Sequence, residues 1–168
     1  MIRVLIADDH PIVRRGLKQT LSETDDIVVV DEAKNCAEVM EKLEMHRIDV
    51  LLLDIAMPGR GGIDVLKELG NTNMKTAALM LSIFPEDQYA LRALRSGARG
   101  YLTKNCDADT LVAAIRKVAT GGIYVSPSLG ERLASDLARK NETPSHELLS
   151  DREFEVFKLI ASGKSTQE

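Results

Sequence analysis

Four places along the chain carry side chains suited to phosphoryl chemistry: the acid pair Asp8-Asp9, the acid Asp54, the hydroxyl of Ser82 and the amine of Lys104. Asp54 directly follows the apolar run Val50-Leu51-Leu52-Leu53. A carboxylate at the mouth of a buried strand can serve as nucleophile, metal ligand or both. Asp8, Asp9 and Asp54, with no His or Cys cluster beside them, make a hard all-oxygen set that favours Mg²⁺ over zinc. Without a cation their mutual repulsion is costly. A bound Mg²⁺ offsets that charge and leaves positions for water and a phosphoryl oxygen. Lys104 supplies a mobile point charge for a second phosphoryl oxygen, and the Ser82 hydroxyl can donate to a third. The set suits attack by Asp54 on a phosphoryl group, with charge stabilised by metal and lysine.

Each residue alone has a plainer reading. Asp54 can merely end a strand, Asp8-Asp9 can cap a helix, and Ser82 and Lys104 can be loop residues. Their recurrence at successive strand ends favours one shared site. His10 is read as a solvated residue at a helix start rather than a ligand or base. Tyr101 is read, by default, as a half-buried edge residue.

The elements that must position these residues follow from periodicity. Residues 2–7 form a first strand ending at Asp8-Asp9, and Pro11 suits the first position of a helix with Val13, Leu17 and Leu21 on its apolar face. The β-branched run 27–30 is a second strand. Asn35 and Glu38 resemble a capping box, opening a helix that carries Val39, Met40 and Leu43. The third strand, 50–54, is apolar from Val50 to Leu53, as a strand buried on both faces should be, and ends in Asp54. Gly59 to Gly62 reads as a flexible loop before a helix carrying Ile63, Leu66 and Leu69. The fourth strand runs from Ala77 to Leu81 and ends at Ser82. Pro85 then starts a helix with Ala90, Leu91 and Leu94 apolar, stopped near Gly97. A short fifth strand, 99–102, delivers Thr103-Lys104. Asp107 can cap a last helix with Leu111, Ala114, Ile115 and Val118 inside. Five strand–helix units in 120 residues predict an α/β fold, a flavodoxin-like doubly wound five-stranded parallel sheet. Right-handed crossovers bring all these strand ends to one edge, where open α/β sheets place their ligand sites.

Past Gly121-Gly122 the pattern changes. Ser126-Pro127 and Ser128 to Glu131 are overlapping helix-start signals, and Leu129, Leu133 and Leu137 make a narrow stripe, so residues 121–147 read as a linker with a helix. Ser150 to Glu153 is a second capping box, opening a helix with Phe157 and Ile160 inside.

The totals set bounds. The 168 residues suffice for one good core and an appendage. With 44% apolar and 29% charged residues, the composition is that of a soluble globular protein. A formal charge of −4 gives the whole chain no electrostatic footprint for nucleic acid. No run reaches the length of a membrane span and no signal peptide is evident. Cys36 and Cys106 read as free thiols in a reducing cytoplasm.

Ile6-Ala7-Asp8-Asp9-His10, Leu51 to Gly59 around Asp54, Leu81-Ser82 and Gly100-Tyr101-Leu102-Thr103-Lys104, in this order, resemble the receiver domain of bacterial two-component response regulators over residues 1–120. Leu149 to Ser165 resembles the opening of a LuxR-type helix-turn-helix, so that 148–168 would be its N-terminal fragment. Together they resemble the NarL/FixJ family of transcription regulators. The resemblance implies a histidine kinase as phosphodonor, small donors such as acetyl phosphate, and Asp54 as acceptor. It implies Mg²⁺ held directly by Asp9, through water by Asp8, and also by Asp54 and the backbone carbonyl of Ala56. It further implies that Ser82 and Tyr101 shift together on phosphorylation, with homodimerisation as the consequence, and DNA binding only by the full-length protein. Such a protein is a cytoplasmic switch with no membrane partner, not an enzyme, apart from catalysing its own phosphorylation and dephosphorylation.

Two departures stand out. Many receivers follow the lysine with a cis proline, whereas Asn105 stands here, so a trans bond is expected. The helix-turn-helix stops before its recognition helix, and major-groove readout is therefore not expected of this chain. The competing reading is a Mg²⁺-dependent phosphatase or phosphotransferase working through an aspartyl phosphate. Those hydrolases place Asp-x-Asp after the first strand, whereas Asp8-Asp9 are adjacent. A third, a flavodoxin-like interaction module without phosphorylation, leaves the acid–hydroxyl–lysine set without purpose.

Overall fold

The structure is a computed structural model that describes residues 1–138. The expected loop at 140–147 and the expected helix-turn-helix fragment at 148–168 lie outside the described residues. Five strands, β1 (Ile2–Ala7), β2 (Ile27–Ala33), β3 (Val50–Leu53), β4 (Ala77–Ser82) and β5 (Gly100–Thr103), alternate with α1 (Pro11–Ser22), α2 (Cys36–Met45), α3 (Gly62–Gly70), α4 (Glu86–Arg95) and α5 (Ala108–Ala119). A sixth helix, α6 (Pro127–Ala138), follows. The strands are all parallel, in the order β2-β1-β3-β4-β5. The order reverses between β1 and β3, and this switch point is where a doubly wound sheet opens its ligand crevice.

The apolar runs in the strands follow from this topology, because helices cover both faces. Leu5, Leu51, Leu53, Ala78, Met80 and Tyr101 pack toward α2, α3 and α4. Val4, Ile6, Leu52, Leu79 and Leu81 pack on the other face against Leu111 and Ile115 of α5. Burying each such leucine contributes about 1.5–3 kcal/mol. Leu129 of α6 is also buried, at 1% exposure, within the first cluster, with Leu133 packed against it.

Local chemistry sets the boundaries. Asn35 Oδ1 accepts from the Glu38 amide at 2.9 Å, while Glu38 Oε2 reaches back to the Lys34 amide at 3.0 Å. The return bond of the expected capping box thus lands one residue early. Asp107 caps α5 by accepting from Thr110 N at 2.7 Å. Gly97, with φ +105°, ends the turn after α4 in a conformation that suits only glycine. No described peptide bond is cis.

The structure departs from the sequence reading in several places. β2 runs on to Ala33, because its pairing with β1 shifts register between Val4 and Leu5 and then continues through Asp31 and Glu32. β5 lies one residue later than expected and includes Thr103. α4 buries Tyr89, Ala90, Arg92 and Ala93 with Leu94 packed beside them, so of the expected Ala90, Leu91 and Leu94 the inner face keeps Ala90 and Leu94 and adds Tyr89, Arg92 and Ala93. Gly62 belongs to α3 rather than to a flexible loop.

Candidate functional site

β1 and β3 are neighbours, so Asp8 and Asp54 leave the sheet side by side. The Asp54 amide donates to the Ala7 carbonyl at 2.8 Å, and the Asp8 amide to the Ala33 carbonyl at 3.0 Å. Both carboxylates are almost fully buried, at 2% and 3% exposure. On the far side, the Lys104 amide donates to the Ser82 carbonyl at 2.8 Å, extending the β4–β5 ladder by one residue. This fixes where the lysine stem begins. Its side chain then crosses the end of β4 to bring the ammonium 2.7 Å from Asp54 Oδ2 and 2.7 Å from Asp8 Oδ2.

The charges at this edge do not balance. Asp8, Asp9 and Asp54 face a single ammonium. Burial pushes the Asp54 carboxyl above the ordinary carboxylate value; the hydrogen bond and charge of Lys104 oppose this, while Asp8 adds to it. Burial also works against the Lys104 charge, but its bonds to Asp54 and Asp8 outweigh that and hold the ammonium above its ordinary value. Asp9 Oδ1 is shielded from water and completes no hydrogen bond of good geometry, although His10 Nδ1 lies 2.7 Å away. Such an oxygen in an acidic cluster suits a cation. One ligand atom from each of Asp8, Asp9, His10 and Asp54 lies within 4.8 Å of the others. Of the four, His10 is mostly solvated, with 63% of its side chain exposed.

Ser82 is fully buried, and its Oγ accepts from the Phe84 amide at 3.2 Å. Tyr101 is fully buried as well, not half-buried at an edge, and its phenol donates to the Phe84 carbonyl at 2.9 Å. The ring lies inward because β5, although an edge strand, is covered by α4 on that face. Burial, before any other cause, raises the phenol's pKa far above the ordinary value, so the hydroxyl stays a donor. Ala56 lies at the rim and is exposed, its amide 3.3 Å from Asp54 Oδ1.

Two supports escaped the sequence reading. Arg14 Nη1 donates to the Asp8 carbonyl at 2.7 Å, while its Nε bonds Glu32 Oε2 at 2.9 Å. Lys18 and Arg14 together hold the Glu32 carboxyl below its ordinary value despite partial burial. The other support is Gly62. A Cβ placed there would stand 2.2 Å from the Asp54 carbonyl oxygen. The Gly61-Gly62 doublet before an apolar helix was the available signal, since a glycine can mark a close backbone approach as well as a turn.

Comparison with known proteins agrees with this geometry. Residues 4–116 match the response regulator receiver domain. The chain is 35% identical over 169 residues to the response regulator GacA of Pseudomonas viridiflava, covering 99% of this chain and 78% of GacA. A two-component response regulator of the LuxR family from Aurantimonas sp. superposes with a TM-score of 0.73 at 29% identity, covering 82% of this chain and 98% of that one. RcsB, in a structure of two dimers bound to two parallel DNAs, superposes with a TM-score of 0.70 at 26% identity, covering 98% of this chain and 78% of RcsB. With the match spanning most of the chain and the acids, serine and lysine gathered at one sheet edge, the protein belongs to the response regulator receiver family of two-component systems.

Proposed function

We propose that Asp54 accepts a phosphoryl group from a histidine kinase, or from a small donor such as acetyl phosphate, and that the aspartyl phosphate switches the protein's association state. The observation that carries this is the Lys104 ammonium spanning Asp54 and Asp8 at 2.7 Å each. It pins the nucleophile's carboxylate and places a positive charge where phosphoryl oxygens gather during transfer.

In the reaction an Asp54 oxygen attacks phosphorus. The new O–P bond forms as the bond to the donor's imidazole nitrogen or acyl oxygen breaks, and the leaving group departs with its electron pair. Lys104 moves its hydrogen bond from the carboxylate to a phosphoryl oxygen. Ser82, buried at the adjacent strand end, turns its hydroxyl to donate to another. The Ala56 amide, already near Asp54 Oδ1, is placed to follow the charge outward. Asp8, Asp9 and Asp54, with the carbonyl of Ala56, would hold Mg²⁺, which supplies positive charge to the phosphoryl oxygens during transfer. The unsatisfied Asp9 oxygen and the excess of carboxylates over ammonium fit that ion.

Residues 1–120 form the phosphoacceptor domain in this reading, 121–147 the linker, and 148–168 the first part of a LuxR-type DNA-binding domain. Control of transcription then belongs to the full-length protein, whose relatives include the DNA-bound RcsB dimers. Such a relay operates in the cytoplasm. Among the described residues no helix is long and apolar enough to cross a membrane. Incubation with Mg²⁺ and acetyl phosphate should add one phosphoryl group by intact mass, and Asp54→Asn should abolish it. Full labelling of that variant would remove Asp54 as the acceptor.

A further inference from the structure

The helix α6 does not simply lead away from the receiver fold. Ser126 Oγ caps it, accepting from the Leu129 amide at 3.1 Å, and the same hydroxyl donates to Glu86 Oε1. Arg132 Nη2 donates to the Asp87 carbonyl at 2.9 Å. Leu129 is buried in the apolar cluster that also holds Tyr89, Ala90 and Tyr101. Glu86 and Asp87 are the first two residues of α4. The polar attachment of α6 is thus concentrated on one turn of one helix.

That turn lies close in sequence to the phosphoacceptor site. Ser82 Oγ holds the Phe84 amide, and Tyr101 holds the Phe84 carbonyl at 2.9 Å. The Phe84 ring stacks on Tyr89 with centroids 4.8 Å apart. Only Pro85 separates Phe84 from Glu86, and its ring fixes φ near −60°. A displacement of residue 84 therefore passes to Glu86 with little room to be absorbed by torsion.

We propose that α6 is a clasp on the first turn of α4, closed while Ser82 Oγ holds the Phe84 amide and loosened when that hydroxyl turns toward a phosphoryl group on Asp54. The coupling half of this inference rests on the phosphorylation reading above; the clasp itself does not. When Ser82 turns, the Phe84 amide loses its acceptor, the 84–87 segment shifts, and the Glu86 carboxylate no longer meets Ser126. Loss of that bond and of the Arg132 bond removes two polar holds on α6 and leaves the apolar packing of Leu129 and Leu133. Phosphorylation would then free α6 from α4, and a second copy of the chain could use the uncovered α4 surface.

Hydrogen exchange on the 168-residue chain tests both halves. Glu86→Ala and Arg132→Ala should each speed exchange of amides 130–135 by about two- to tenfold, the worth of one hydrogen bond, and leave amides 111–118 of α5 unchanged. Unchanged exchange in α6 would overturn the clasp. In the parent chain, Mg²⁺ with beryllofluoride should produce the same acceleration, and Ser82→Ala should block it. Binding of the mimic is read separately, from slowed exchange at residues 54–62. Bound mimic with α6 unaffected overturns the coupling. Failure of the mimic to bind overturns the phosphorylation reading and the coupling with it, while the two ligand-free variants still decide the clasp.

Discussion

Gly62→Ala is the substitution that best separates a packed site from a row of loop residues. The added Cβ would lie 2.2 Å from the Asp54 carbonyl oxygen, 3.1 Å from its carbonyl carbon and 3.1 Å from Ile55 Cα. All three are backbone atoms, so no rotamer change relieves the overlap. Ordinary contact begins near 3.4 Å, so the start of α3 and the Asp54 peptide must part by about 1 Å. Overpacking of this kind costs about 1–3 kcal/mol. A misplacement of about 1 Å at a reacting group can cost about a hundredfold in rate. The Gly62 amide also donates to the Ile55 carbonyl at 2.8 Å, so parting the two segments strains the loop that carries Ala56. Gly70→Ala, in the same helix, is the control, because nothing lies within 4 Å of its Cβ position. That change should be neutral or stabilising by up to about 1 kcal/mol. Urea unfolding gives the stabilities, and phosphorylation by acetyl phosphate gives the rates. If Gly62→Ala unfolds at the parental midpoint and phosphorylates at the parental rate, the close approach is not what holds Asp54.

Lys104→Met should destabilise the metal-free protein at neutral pH by about 1–3 kcal/mol, less than a fully buried pair because the site opens to solvent. Millimolar Mg²⁺ should restore most of that loss in thermal melts, and a loss indifferent to Mg²⁺ would refute the charge argument. Asp54 has a folded pKa raised above its ordinary 3.8, so its contribution to stability is complete below that value and is lost as pH rises through the raised one. Asp54→Asn should therefore gain on the parent across that window and keep a constant advantage above it; urea melts showing a gap that shrinks with rising pH would contradict the sign. Asp9→Ala should weaken Mg²⁺ binding more than Asp8→Ala, because Asp9 carries the unsatisfied oxygen; equal Mg²⁺ titrations of both variants and the parent would dismiss the site. Beryllofluoride should strengthen homodimerisation of the chain in sedimentation, and an unchanged association constant with the mimic bound would count against association as the output.

The parts legible in the sequence were those fixed by local rules. Val50 to Leu53 announces a strand buried on both faces, and Asp107 and Asn35 announce helix starts, because each signal lies within a few residues of its effect. The convergence of Asp8, Asp54, Ser82 and Lys104 was legible too, since parallel strands with right-handed crossovers leave no other arrangement of their ends. What escaped depends on contacts between distant segments. Gly62 looked like loop because its reason, the Asp54 carbonyl, is supplied by another part of the backbone. Arg14 carried no signal, because what it bonds, the Asp8 carbonyl and Glu32 on β2, is supplied by other segments. Tyr101 looked like an edge residue because the edge strand's cover, α4, does not show in the periodicity of β5. The inner face of α4 was read too narrowly for a related reason: Tyr89 and Arg92 are buried beside Ala90 and Ala93, where α4 packs on β5, and the helix's own apolar spacing does not show that.

These long-range contacts share a consequence for how the site works. Asp54 sits where burial disfavours its charge, and the Lys104 ammonium is shared between it and Asp8. A site with balanced charge would be more stable empty and would gain less from a phosphoryl group and a cation. Here Asp9 carries an unsatisfied oxygen, burial raises the Asp54 pKa, and Lys104 is divided between two acids. Each would be relieved by the proposed ligands, a cation for the acids and phosphoryl oxygens as acceptors for Lys104 and Ser82. On the proposed reading, Ser82 swings from the Phe84 amide, which its Oγ meets at 3.2 Å, toward the phosphoryl group, and that links Asp54 to residue 84. A ligand shifts a conformational equilibrium only by the difference in its interaction with the two states. The proposal assigns that difference to the Ser82 hydroxyl, with the 84–87 segment as its way out of the site.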